Sequence, residues 1–182
     1  IMATFALTSC TYNKLVEEEE TVNQKWADVQ TQYQRRADLI PNLVNTVKGY
    51  AAHESETLEA VVAARTKATQ ITIDPSNATP EQIAAFQEAQ GEVSQALGRL
   101  LAITEAYPDL KANEQFSELQ AQLEGTENRI AESRRLYNEA VQTYNVSVRK
   151  FPNNIWAWIF GFDKKTPFAA EAGAEKAPEV QF

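Results

Sequence analysis

A chain of 182 residues, 43% of them hydrophobic, can bury the core of one domain with some extension, and its net charge of -8 argues against the basic stripe that non-specific nucleic-acid binding needs. One Cys and one His exclude an intrachain disulfide and argue against His-rich zinc sites and Cys/His nucleophile pairs. The chemistry of the chain is therefore that of packed apolar surface and a few placed charges.

The N-terminus, Ile1-Met2-Ala3-Thr4-Phe5-Ala6-Leu7, is apolar. It is too short to span a bilayer, which takes ~20 residues, and reads as the end of a signal peptide or of a transmembrane helix. Leu7-Thr8-Ser9-Cys10 follows, an aliphatic residue and two small ones before Cys, in the form of a bacterial lipobox. Cys10 is the candidate lipidation site; the alternative is a chance Cys beside a retained helix. Either way residues 1–12 tether the chain to membrane lipid. Glu17-Glu18-Glu19-Glu20 reads as a solvated first turn, favoured near a helix N-terminus.

Residues 13–70 form the first periodic segment. Val22, Trp26, Val29, Tyr33, Arg36, Ile40, Leu43, Val47 and Tyr50 are spaced by alternating steps of four and three, a heptad seam. Pro41 lies inside it and predicts a bend rather than a break, since the seam stays in register. The pattern weakens after Tyr50 and resumes at Leu58, Val61 and Val62. Read as one rod, ~55 residues at 1.5 Å each span roughly 80 Å.

Residues 71–78 read as a loop, and Thr79-Pro80-Glu81-Gln82 as a helix start with a capping box and Pro in the first turn. The second segment carries Ile83, Phe86, Val93, Leu97, Leu100 and Leu101 and stops at Tyr107-Pro108. In the third, residues 110–150, Phe116, Leu123, Ile130, Tyr137, Tyr144 and Phe151 recur every seventh residue, and Pro152 closes it. No stretch alternates with period two. The fold class is all-α: an elongated antiparallel three- to four-helix bundle over residues 13–152.

Residues 153–162 are densely apolar: Ile155, Trp156, Trp158, Ile159, Phe160 and Phe162. Three placements are open: a cap on the bundle, a contact with another subunit, or the membrane interface, where Trp is enriched. The tail, residues 163–182, reads as irregular or loosely docked.

Arg36 is the anomaly of the first seam. A charge on a core seam needs a partner, since leaving it buried and unpaired costs several kcal/mol. Glu127 is the first candidate and Glu124 the second; with Arg134 they would form a structural polar layer that fixes helix register. The alternative is that Arg36 extends along its stem to water. No nucleophile or metal-ligand set accompanies these groups, so the sequence predicts neither an enzyme nor a cofactor. His53 beside Glu54 reads as a surface residue.

Gln34-Arg35-Arg36-Ala37-Asp38-Leu39-Ile40-Pro41-Asn42-Leu43 and Gly49-Tyr50-Ala51-Ala52-His53-Glu54 resemble the LemA family, as do Leu110-Lys111-Ala112-Asn113 and Gln122-Leu123-Glu124-Gly125-Thr126-Glu127-Asn128-Arg129-Ile130-Ala131. Arg134-Arg135-Leu136-Tyr137-Asn138, Tyr144-Asn145, Phe151-Pro152 and Gly161-Phe162 continue the resemblance in order. It implies a helical bundle behind a membrane segment or lipid anchor, and no defined biochemical activity.

The expectation is a non-catalytic, membrane-anchored scaffold or assembly protein of a bacterial cell envelope, held by its N-terminus with the bundle outside the cytoplasm. Its expected partners are membrane lipid, copies of itself and other envelope membrane proteins, and not nucleic acid. The alternative is a membrane-remodelling helical coat, which needs an apolar or basic face aimed at lipid.

Overall fold

The computed structural model describes the backbone of residues 2–170 and the side chains of residues 10–170. The described residues form six helices: α1 (Met2–Tyr50), α2 (Ser55–Gln70), α3 (Pro80–Thr104), α4 (Pro108–Lys111), α5 (Glu114–Arg149) and α6 (Asn153–Phe160). The chain is all-α, and α1, α2, α3 and α5 make the bundle.

α1 is 49 residues long, roughly 70 Å at 1.5 Å per residue. No helix of that length is stable alone, so its seam has to be covered along the way. Val22, Trp26, Val29, Tyr33, Ile40, Leu43 and Val47 are all buried.

Pro41 sits inside α1 without interrupting it. Proline has no N–H, so the carbonyl four residues earlier, that of Ala37, loses its helical donor. Arg65 of α2 supplies the replacement: its Nε donates to the Ala37 carbonyl at 2.7 Å. The carbonyl that proline exposes becomes the point where α2 is fastened to α1.

The expected rod over residues 13–70 is corrected by the structure. α1 ends at Tyr50, the chain turns through residues 51–54, and α2 folds back along α1. Continued past Val47, the seam would offer Tyr50, Glu54 and Thr57, which give a straight helix little apolar surface to bury. Reversal buries Leu58, Val61 and Ala68 instead. Tyr50, expected on the buried seam, is 44% exposed and its hydroxyl accepts from Asn113 Nδ2 at 3.0 Å.

α3 starts at a capping box in which Thr79 and Gln82 each accept the other's backbone N–H, with Pro80 at the first position. It runs parallel to α1, with Phe86 against Trp26 and Gln90 against Arg36. α5 runs antiparallel to α1, pairing Arg36 with Glu127 and Trp26 with Tyr137.

The core falls into two clusters. The one far from the N-terminus joins Ile40, Leu43 and Val47 to residues of α2, α3 and α5. The one nearer the N-terminus joins Leu15, Val22, Trp26 and Tyr33 to Tyr137, Tyr144 and Val148 of α5. At this near end α2 has already finished and α3 contributes only its first turns, through Ile83 and Phe86, so the cover over α1 and α5 is thinner than at the far end.

Two irregular segments fill the space. Ile73 enters from the loop between α2 and α3. Phe168 enters from the chain after α6, stacking on Trp26 at 5.5 Å and meeting Tyr137 edge-on at 5.3 Å. Residues 163–170 of the tail carry no helix or strand, and they form a fastened strap rather than a loosely docked one; residues 171–182 lie outside the described residues.

The strap has no helix or sheet to satisfy its backbone, so side chains do it. Asn145 donates to the Lys165 carbonyl and accepts its N–H, both at 2.8 Å. Asn138 does the same for Phe168 at 3.2 and 2.8 Å, and Gln87 for Ala169 at 3.0 and 3.2 Å. Each amide offers one donor and one acceptor, as a neighbouring strand would. Tyr137 also donates to the Thr166 carbonyl at 2.9 Å.

Two predictions follow from these contacts. Phe168→Ala should lower the unfolding free energy by ~3–5 kcal/mol in urea titration, the range for truncating a buried Phe; a loss below ~1 kcal/mol would mean that the strap rides on the surface. Arg65→Met should cost ~1–2 kcal/mol by leaving the Ala37 carbonyl unpaired. In a Pro41→Ala background the helix amide recovers that carbonyl, so the same substitution should cost much less. Additive losses in the double-mutant cycle would rule out this coupling.

Candidate functional site

Two features go beyond ordinary bundle packing: a buried arginine at mid-height and an apolar helix at one end.

Arg36 is 1% exposed, the most deeply buried charge among the described residues. It sits on the seam of α1 between the two core clusters. Nη1 donates to Ser94 Oγ at 2.7 Å and to Glu127 Oε1 at 3.1 Å. Nη2 donates to the Gln90 carbonyl at 2.9 Å and to Gln90 Oε1 at 2.7 Å. The guanidinium lies over the Tyr33 ring, 5.1 Å from its centre. Acceptors thus come from α3 and α5 while the donor comes from α1. Glu127 keeps 39% of its side chain in solvent, so the pair joins a dry cation to a carboxylate that water still reaches. Water on the carboxylate reduces the desolvation cost that makes fully buried ion pairs weak.

The other layer candidates are placed differently. Glu124 is exposed and outside this network. Arg134 is half-buried nearer the N-terminal end, its guanidinium 5.1 Å from the Phe168 ring centre. It also lies beside the Tyr33 hydroxyl; burial raises the Tyr33 pKa above the ordinary phenol value, and Arg134 and Arg36 pull the other way. Arg134 thus bears on the aromatic cluster through Phe168 and on the Tyr33 ring that also lies under Arg36. Burial also pushes the Tyr137 hydroxyl up to about 12 and holds Tyr144 well above the usual range.

Sequence reasoning missed Gln90 and Ser94. The signal for Gln90 was present: it occupies the seam position between Phe86 and Val93, where an apolar residue is expected.

A guanidinium stays charged at any pH a protein survives, and the donors of both its terminal nitrogens are engaged. It can hold register but cannot exchange a proton. Among the described residues no group of three or more His, Cys, Asp or Glu is placed to hold a metal ion. His53 is exposed in the turn after α1.

The second feature is α6. Ala157 is buried against the bundle, while Ile155 is 47%, Trp158 85%, Ile159 51% and Phe160 52% exposed. Phe151, just before the helix, is 80% exposed. Trp156 and Phe162 are half-buried. Gly161 ends the helix at a φ of 73°, a left-handed conformation that favours glycine, and redirects the chain into the strap. Tyr12 of α1 meets the rings of Phe160 at 5.0 Å and Phe162 at 5.8 Å. Cys10, with a free, exposed thiol, is two residues before Tyr12 on the same helix. The structure thus brings the lipidation candidate and the apolar window to one end of the bundle.

Arg36→Ala should destabilise the protein by ~3–5 kcal/mol, because it removes a buried charge and strands its acceptors. Arg36→Lys should recover little, since an ammonium cannot reproduce the planar fork. Urea unfolding measures both; a change within ~0.5 kcal/mol for Arg36→Ala would mean that the site is solvated.

The chain is similar over most of its length to several bacterial proteins. It is 29% identical over 197 residues to magnetosome protein MamQ 2 of Paramagnetospirillum magneticum, covering 99% of this chain and 72% of that protein. To magnetosome protein MamQ of Magnetospirillum gryphiswaldense it is 29% identical over 186 residues, 93% of this chain and 68% of the relative. To protein LemA of Metamycoplasma hominis it is 23% identical over 142 residues, 78% and 61% of the two chains. The sequence model of the LemA family matches residues 25–182, from the residue before Trp26 through the Arg36 layer and the strap, and the chain belongs to the LemA family.

Proposed function

We propose that this protein is a non-catalytic scaffold of the bacterial cell envelope, tethered at its N-terminus, that associates with copies of itself and with other membrane proteins. The observation that carries this reading is the continuity of α1. One helix runs from Met2, within the apolar N-terminal stretch, to Tyr50 at the far end of the bundle. A tether acting through that stretch would reach the bundle with no linker between them, so the bundle would stand as a rod of fixed direction. Among the described residues no helix is long and apolar enough to cross a membrane. The tether in this reading is therefore either lipid on Cys10 or a membrane segment of which the N-terminal stretch is the end.

Copies held on one membrane share a plane and a direction, which raises their effective concentration and lets weak contacts count. Closed cyclic assemblies of parallel rods satisfy both constraints. The relatives named as magnetosome proteins are named for a cellular structure and not for a reaction, which supports the scaffold reading. A remodelling coat fits less well: a coat needs an apolar or basic flank along its length, whereas the largest exposed apolar group among the described residues is gathered at one end.

Sedimentation of the full chain in mild detergent and in nanodiscs should give a defined species larger than one subunit. It should be released from membranes by detergent but not by high salt. A monomer over a wide concentration range would overturn the self-association, and release by salt alone would overturn the tether.

A further inference from the structure

We infer that α6 is a bilayer-docking helix, a second membrane contact that lies in the lipid headgroup region beside the N-terminal tether. The inference rests on the tether proposed above and names what the apolar end of the bundle touches.

The first argument is the direction in which the apolar residues face. Ile155, Trp158 and Ile159 stand three and four residues apart on α6, so they share one side, and all are exposed, as is Phe151 in the turn before the helix. The side facing the bundle is held by Ala157, a methyl group. A helix on a water-exposed surface buries its large apolar side chains and turns polar ones outward. α6 does the reverse. Between Asn154 and Gly161 it has no polar side chain at all.

The second argument is position. Tyr12 touches Phe160 and Phe162, and only ~3 Å of helix rise separates Tyr12 from Cys10. A bilayer that holds the residues before Tyr12 brings its surface to α6 without any movement of the bundle. Interfacial helices sink ~5–10 Å into the headgroup boundary, which is the depth of one layer of such side chains. Trp is the residue most at home there.

The third argument is charge. The antiparallel register that sets Arg36 against Glu127 brings Arg149 level with Lys14. Lys14, Arg149, Lys150 and Lys164 are all exposed around α6, in a chain whose net charge is -8. Asp163 is the exposed carboxylate adjoining them. Glu17 and Glu20 lie one to two turns further from the N-terminus, ~5–9 Å deeper into the bundle. Glu18 is ion-paired with Lys14 at 3.8 Å and Glu19 with Lys165 at 2.7 Å. An apolar stripe rimmed by cations complements a surface of anionic headgroups over an acyl layer. A second copy of this chain would instead bring like-charged rims together.

The test uses the full chain reconstituted at one copy per nanodisc, which keeps the result independent of self-association. Trp158 emission is read as the difference between wild type and Trp158→Phe, and circular dichroism confirms an unchanged helix content. Lipids brominated on the acyl chain should quench Trp158, and aqueous iodide should lose the access that 85% exposure would give it. Replacing phosphatidylcholine progressively with phosphatidylglycerol should strengthen the quenching. Lys150→Gln and Lys164→Gln should each weaken docking roughly fivefold, the worth of one cation at an anionic surface. Trp158 open to iodide and untouched by brominated lipid would overturn the inference while leaving the tether and scaffold intact. Trp158 shielded from both would also overturn it, by showing that protein covers the helix. Loss of the chain from the discs during buffer exchange would refute the tether, and the docking inference with it.

Discussion

A guanidinium taken out of water must find acceptors inside the protein, and the packing of α1, α3 and α5 is organised around where Arg36 finds them. Its acceptors, Gln90 and Ser94 on α3 and Glu127 on α5, lie on two different helices. Apolar side chains tolerate sliding: a heptad seam shifted by seven residues would still meet another apolar residue. A shift of that size would carry Glu127 and Gln90 roughly 10 Å from Arg36 and strand a buried charge. The polar layer thus selects one alignment of three long helices from several that bury similar apolar area. Its place at the junction of the two core clusters fits that role, because an error in register there would propagate into both.

Helices of unequal length explain the strap. α1 and α5 run the full height of the bundle, but the α2–α3 pair covers only the half beyond Arg36 and a little more. Even with Phe86 from the first turns of α3 against Trp26, these helices would leave Trp26 and Tyr137 exposed on one side. The chain fills this space with the segment after α6, whose one large apolar side chain, Phe168, is 4% exposed. An irregular segment can lie against a core only when its amides are satisfied, and Asn138 and Asn145, seven apart on α5, stand in line to do so. Lys165 closes the arrangement by reaching Glu19 on α1 and the Ser76 carbonyl in the loop before α3. The strap therefore binds both long helices and the loop at the end where regular structure is thinnest.

Much of this was legible in the sequence, for identifiable reasons. The 4-3 spacing of α1, the seven-residue repeat of α5 and the Thr79–Gln82 capping box are strong local signals, and each element follows them except at the last member of each repeat, Tyr50 and Phe151, which are exposed. A charge on the α1 seam likewise announces a need for acceptors. The reversal after Tyr50 was harder to see, because Leu58 and Val61 resume a helical spacing and no proline marks the turn. The informative sign was the loss of apolar residues from the seam at positions 54 and 57, which makes a continued rod unprofitable to bury. Gln90 is hidden when only the apolar positions of the second segment are read, although it falls on their seam. The strap was the least legible, since an extended segment has no period, and its fastening depends on amide side chains distant in sequence.

The two ends of the bundle differ in kind, and α1 connects them. At the far end the turn after Tyr50 is closed by polar contacts, Asn113 to Tyr50 and Tyr107 to Glu54. At the near end, Tyr12, Phe151, Trp158 and Phe160 leave large apolar surfaces exposed. If the apolar surplus were a packing defect, it would be expected where the fold is most strained, at the turn or at the half-filled core. It lies instead beyond the strap, after the bundle has closed its core, on a helix that adds only one alanine to the interior. A helix that contributes so little to the fold, and packs beside Tyr12 near the start of α1, is better explained by what lies outside the bundle than by what lies within it.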